Sequence, residues 1–206
     1  MSPHEILIAI MAAFAVLGAL DRIFGNRVGL GPEFENGILS LGSLALSMVG
    51  IISLAPVLAG LLRPVVVPVY RFLGADPAMF AGTILANDMG GGPLAQELAG
   101  SPEAAKLGGL LVGAMLGATV VFTIPVALGI LDPEDRPALA KGVLSGIVTI
   151  PVGVLVGGLV AGFPVGMVLR NLIPIVLIAL LIALGLWKLE RGMIRGFAVF
   201  GKIIVA

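Results

Sequence analysis

The chain has 206 residues, of which 59% are hydrophobic and only 12% charged, and its mean hydropathy is +1.16. Soluble domains carry roughly 25% charged residues, so this composition excludes a water-soluble globular protein; the zero net charge, with no basic cluster ahead of the C-terminus, argues against a nucleic-acid partner. Cysteine is absent and His4 is the single histidine, which leaves no disulfide framework, no zinc site and no cofactor to expect.

Unbroken apolar runs of about 20 residues predict membrane-spanning helices, where a barrel would show short alternating segments. The fold expected is all-α, a polytopic integral membrane helix bundle in a lipid bilayer. The first span is read over residues 5–24, with Asp21 and Arg22 snorkelling to the interface. A cleaved signal peptide is the rival reading, but His4 and Glu5 stand where that signal carries Lys or Arg. Residues 25–35, with three glycines and Pro32, read as a turn.

A second span is expected over 36–62, closed by Arg63-Pro64. On it Asn36, Ser40, Ser43, Ser47 and Gly50 recur at steps of four and three, which puts them on one helical face. Two readings fit that stripe: close helix packing by small residues, or the lining of a pathway in which Ser43 and Ser47 meet a solute. The run at 65–73 holds Pro68 and Arg71 and is too short to cross.

Residues 76–100, DPAMFAGTILANDMGGGPLAQELAG, are the centre of the chain. Asp76 can cap a helix and Pro77 suits its first position; Asn87, Asp88, Gly90, Gly91, Gly92 and Pro93 then interrupt the apolar pattern, and a second short helix restarts at Pro93. This predicts a discontinuous helix pair, broken or re-entrant, around 87–93. An aspartate at membrane depth costs roughly 2.5–3.5 kcal/mol on insertion scales, a cost tolerated for function or strong pairing. Asp88 is therefore the leading candidate residue.

Ser101-Pro102-Glu103 is a helix start, and the next spans are read over 103–131, 141–163 and 171–188, with 191–206 amphipathic or the start of a further helix. Thr-Ile-Pro-Val occurs twice, at Thr123 and Thr149. Each proline frees the carbonyl four residues earlier, Val121 or Ile147, and a nearby Thr hydroxyl is expected to soften the kink. Lys188, Arg191, Arg195 and Lys202 place the C-terminal end in the cytoplasm by the positive-inside rule. Charge counting does not decide whether the broken element crosses or loops back; its length favours a crossing.

A half-helix ending near Ala86 aims its carbonyls at the interruption, and Asp88 adds a full negative charge, so a cation is favoured there. The amides of residues 91–94 are expected to offer donors to a hydroxyl or anionic oxygen, and Gln96 and Glu97 lie within a turn or so. Facing half-helix ends inside a membrane are how transporters build sites for small polar solutes. With one Tyr and one Trp, an aromatic cage for quaternary ammonium is poorly supported, and a primary ammonium fits better. An intramembrane hydrolase needs a carboxylate pair, a Ser–His couple or a metal. His4 is terminal and Asp88 has no carboxylate twin except Glu97, so the chain is read as a non-enzyme without a metal site.

The runs DRIFGNRVGLGPEFENG, ALSMVGIISLAPVLAGLL and above all GADPAMFAGTILANDMGGGPLAQELA resemble the ethanolamine utilization permease family, EutH, collinearly along nearly the whole chain. The resemblance implies uptake of ethanolamine by a multi-pass permease of the bacterial inner membrane, and the solute's ammonium and hydroxyl suit the site read from the residues themselves: Asn87, Asp88, Gly90, Gly91, Gly92, Gln96 and Glu97, with Ser43 and Ser47. Transport of another small cationic or zwitterionic solute, and a non-transporting membrane scaffold, are the alternatives. Family members are roughly twice as long, and many transporters complete a site with a second, inverted repeat, so the chain is expected to need a partner: a second half of the permease, or a second copy of itself.

Overall fold

A computed structural model describes residues 3–205, with side chains described throughout except at 3, 43, 44, 46–48, 51 and 203–205. Ser43 and Ser47 of the small-residue stripe thus lie outside the described residues. Among the described residues every regular element is helical. Five helical stretches among the described residues are long and apolar enough to cross a membrane: His4–Ile23, Ile52–Phe72, Pro102–Ile130, Arg136–Val160 and Val165–Lys188. The chain divides into two compact units, Met1–Gly50 and Ile51–Ala206.

In the first unit, helix α1 (Pro3–Ile23) turns into the start of α2 (Leu30–Phe72) through a loop in which Gly25, Asn26 and Gly29 all take positive φ. Asp21 does not snorkel. Its carboxylate is buried and accepts from the Val28 amide on one oxygen and from the Leu30 and Gly31 amides on the other, each at 2.9 Å. Those are orphan donors at the start of α2, which an acidic cap satisfies. With the cap supplied from α1, α2 starts at Leu30, inside the stretch read as a turn, and Pro32 falls in its first helical turn where the missing amide costs little. Arg22 pairs with Glu35 at 2.7 Å.

α2 also does not stop at Arg63-Pro64 but runs on to Phe72 through Pro56, Pro64 and Pro68. Proline is tolerated in helices of this kind because neighbouring groups take over the carbonyls it frees. In the second unit the reward for continuity is a packed face of Ala55, Ala59, Val66 and Tyr70, with the Tyr70 ring edge-on to Phe80 at a centroid distance of 6.2 Å.

Two half-helices follow, α3 (Ala78–Ile84) and α4 (Gly92–Leu98), joined by an irregular turn, Asn87–Gly91. Beyond them lie α5 (Pro102–Ile130), α6 (Arg136–Val160), α7 (Val165–Lys188) and α8 (Glu190–Val205). Ser101 Oγ accepts from the Ala104 amide at 3.2 Å, which starts α5 where the sequence places it. α7 begins before 171 and carries Arg170 on its exposed side, so the charge does not end the helix. Met79, Leu107, Val112, Val154, Val168 and Ile175, from α3, α5, α6 and α7, are fully buried together. In lipid such a core gains by close packing rather than by removal from water. Phe197 anchors α8 on Ile124, Ala140 and Leu144, and Glu190 pairs with Lys141.

The Thr-Ile-Pro-Val sites behave differently from expectation. Ahead of Pro125, α5 widens into π turns over Thr119–Thr123, with the Ile124 amide donating to the Thr119 carbonyl five residues back. Thr119 Oγ1 donates to the Met115 carbonyl at 2.6 Å and Thr149 Oγ1 to Gly146 at 2.8 Å, not to Val121 or Ile147. The break in the ladder at Pro125 is met by a change of helical pitch beside it.

Candidate functional site

The two ends of the interrupted element are tied to each other. Asp76 Oδ1 accepts from the Ala78 amide and Oδ2 from the Gly100 amide, each at 2.9 Å, while the Asp76 amide donates to Asn171 Oδ1 on α7 at 2.6 Å. An element whose first and last residues share one carboxylate doubles back. The element is therefore a hairpin of two half-helices whose ends meet, rather than one continuous helix. Arg63 adds a second restraint: its Nη2 donates to the Glu97 carbonyl at 2.5 Å, placing a cation at the C-terminal end of α4.

The hairpin can lie flat on α5 because the surfaces that meet are glycine. A Cβ on Gly117 would fall 2.0 Å from the Leu85 oxygen, and one on Gly113 would fall 3.0 Å from the Asn87 nitrogen. Small residues let backbones approach this closely in membranes, and they fix the turn that carries the candidate site.

Within the turn, Leu85 and Ala86 are extended, Met89 lies outside the helical region and Gly90 has φ 97°. The Ala86 carbonyl accepts from both the Met89 amide at 3.1 Å and the Gly91 amide at 2.8 Å, and the Gly92 amide donates to the Asn87 carbonyl. Pro93 has no amide hydrogen. Of the donors expected to face a ligand from 91–94, the Gly91 and Gly92 amides are therefore occupied inside the turn, and the Ala86 carbonyl is occupied too. The Gly82 and Leu85 oxygens pack on Gly117. Much of the backbone hydrogen bonding at the break is thus internal to the turn.

Gly90, Gly91 and Gly92 are buried in that turn and Asn87 is half-buried against Gly113, whereas Asp88, Gln96 and Glu97 are exposed. Among the described residues no hydrogen bond or ion pair reaches the Asp88 carboxylate, and no cluster of three or more His, Asp or Glu side chains is placed to hold a metal. The structure thus unites Asn87 with the three glycines as a scaffold and leaves Asp88 as its free charge, without bonding Gln96 or Glu97 to it. A carboxylate on a rigid, exposed turn can accept several N–H bonds from an ammonium group.

Three residues that organise the site were not singled out from sequence for that role. Asn171 is the lone asparagine in the apolar run of α7, a signal that was available; the Arg63 contact to α4 and the second bond of Asp76 join distant residues and left no local signal.

A family model described as "Ethanolamine utilisation protein, EutH" matches residues 4–206. The chain is 62% identical to a probable ethanolamine permease of Listeria monocytogenes, covering 100% of this chain and 55% of that protein. It is 49% identical to a probable ethanolamine permease of Escherichia coli, covering 100% of this chain and 57% of the relative, and 50% identical to the uncharacterized YxeR of Bacillus subtilis, covering 99% and 55%. The chain therefore spans about half the length of the curated relatives it matches. No solved structure matches it. With bacterial permease relatives and five membrane-length apolar helices, it is a multi-pass inner-membrane protein, and it belongs to the EutH family of ethanolamine utilisation proteins.

Proposed function

We propose that this chain forms part of a permease that takes up ethanolamine, and that Asp88 is the counter-charge for the protonated amine. The observation that carries this reading is the state of Asp88: a carboxylate in an apolar chain, held on a glycine-packed turn, with no hydrogen bond or ion pair from any described residue. A charge so placed is retained for a ligand rather than for the fold. Asn87 next to it, and Gln96 and Glu97 on α4, are the polar groups assigned to the hydroxyl end of an amino alcohol, while Gly90, Gly91 and Gly92 shape the turn. The names of the Listeria and Escherichia relatives support ethanolamine as the solute. No chemistry on the solute is implied, and the protein acts as a transporter rather than an enzyme.

The face carrying Asp88 is exposed, whereas a solute site at membrane depth must be covered by protein or lined by water. The proposal therefore includes further helices over that face, from a second half like that of the longer relatives or from a second copy of this chain.

Uptake of radiolabelled ethanolamine into proteoliposomes, with and without an ion gradient, tests the reading. Saturable uptake abolished by Asp88→Asn supports it. Equal uptake by the variant would remove Asp88 from the site, and no uptake above protein-free liposomes in either condition, even with a covering partner present, would favour a scaffold.

A further inference from the structure

A second polar site lies at the opposite functional extreme from Asp88, and it is basic. Where the hairpin ends meet α2 and α7, a cavity of about 900 Å³ is lined by Arg63, Arg71 and Arg170, together with Asp76, Ser101 and Asn171. Asp76 is the one carboxylate in the lining, and each of its oxygens already accepts a backbone amide. Among the described residues no ion pair joins any of the three arginines to an acid; Arg63 donates one N–H to the Glu97 carbonyl and keeps the rest of its fork free. Three guanidinium groups against one occupied carboxylate make this concavity electropositive, and it repels the ammonium that Asp88 would attract.

Its position narrows the ligand. Arg71 sits in the last turn of α2, Arg170 near the start of α7, and Ser101 at the N-cap of α5, helix ends of the kind that meet a bilayer's headgroups, while Arg63 lies about two turns further back along α2. Leu98, Val67 and Met167 give it an apolar flank beside the cations. Planar guanidinium forks match phosphate oxygens in pairs, and basic pockets between membrane helices hold lipid headgroups by the same chemistry.

We infer that Arg63, Arg71 and Arg170 form a binding site for a phosphate group, presented either by an anionic phospholipid or as a free anion. Because Arg63 also holds the end of α4, occupancy of this site bears directly on the hairpin. The inference does not depend on the role of Asp88.

The test uses the whole chain in an uncharged maltoside detergent, with two probes: phosphatidylglycerol, measured against phosphatidylcholine by native mass spectrometry, and inorganic phosphate, measured by titration calorimetry. Binding of phosphatidylglycerol alone assigns a lipid site, and binding of both assigns a general phosphate site. In either case R71Q/R170Q is expected to weaken binding roughly ten-fold or more. As a check that requires no variant, either bound probe should protect Arg71 and Arg170 from hydroxyphenylglyoxal in the native protein. Neither probe binding, unchanged affinity in R71Q/R170Q, or unprotected arginines would overturn the inference.

Discussion

Asp76 Oδ2 accepts a hydrogen bond from the Gly100 amide at 2.9 Å, across 24 residues of chain. That contact joins the two ends of the interrupted segment, and the same carboxylate caps α3 through the Ala78 amide. Asp76→Ala is therefore expected to lose roughly 1–3 kcal/mol of stability, because two backbone donors lose a charged acceptor at once. Asp76→Asn, which keeps one carbonyl acceptor, should lose less. Thermal unfolding in detergent checks the order; equal midpoints for wild type and Asp76→Ala would show that the hairpin is held by other contacts.

The glycine face of α5 makes a sharper prediction. Gly117→Ala puts a methyl group 2.0 Å from the Leu85 oxygen, so the hairpin must move, at a cost of at least about 1–3 kcal/mol. Gly129 lies in open space on the same helix, and alanine there should be neutral or slightly stabilising. Comparing the two melting temperatures separates a packing effect from a general effect of helix propensity.

Asp88 touches no described partner, so the fold does not need its charge. Asp88→Asn should leave expression and melting temperature near wild type while ethanolamine binding falls by roughly ten-fold or more, as expected for a lost charge-assisted bond. A variant that binds normally, or one that fails to fold, contradicts the separation of site from scaffold proposed here.

Asn171 reaches 95 residues back along the chain to receive the Asp76 amide at 2.6 Å, and its Nδ2 lies 3.1 Å from Met167 Sδ. Asn171→Leu leaves that amide without its acceptor and is expected to destabilise by about 1–2 kcal/mol. Loosening should concentrate at the hairpin. Hydrogen exchange at residues 73–80 should rise more than exchange in α6, and uniform exchange across both would mean that Asn171 acts elsewhere.

Some of this protein was determined by sequence alone. Apolar run length and the scarcity of charge required membrane helices, because lipid admits only internally bonded backbone. The string Asn-Asp-Met-Gly-Gly-Gly-Pro required an interruption, since it combines residues that leave the helix with one that cannot donate, and Asp76 and Ser101 marked the helix starts they cap. Each of these is a property of neighbours along the chain. The tertiary structure decided what depends on residues far apart: that the interrupted element returns on itself, that α2 continues through Pro64 and Pro68, that Asp21 is a cap rather than an interfacial charge, and that the amides of the turn bond inward instead of facing a ligand. Charge fits a crossing and a hairpin equally well, and length leans toward a crossing. The choice fell to one carboxylate with two oxygens to satisfy and to a glycine surface on α5 that only a doubled-back chain could cover.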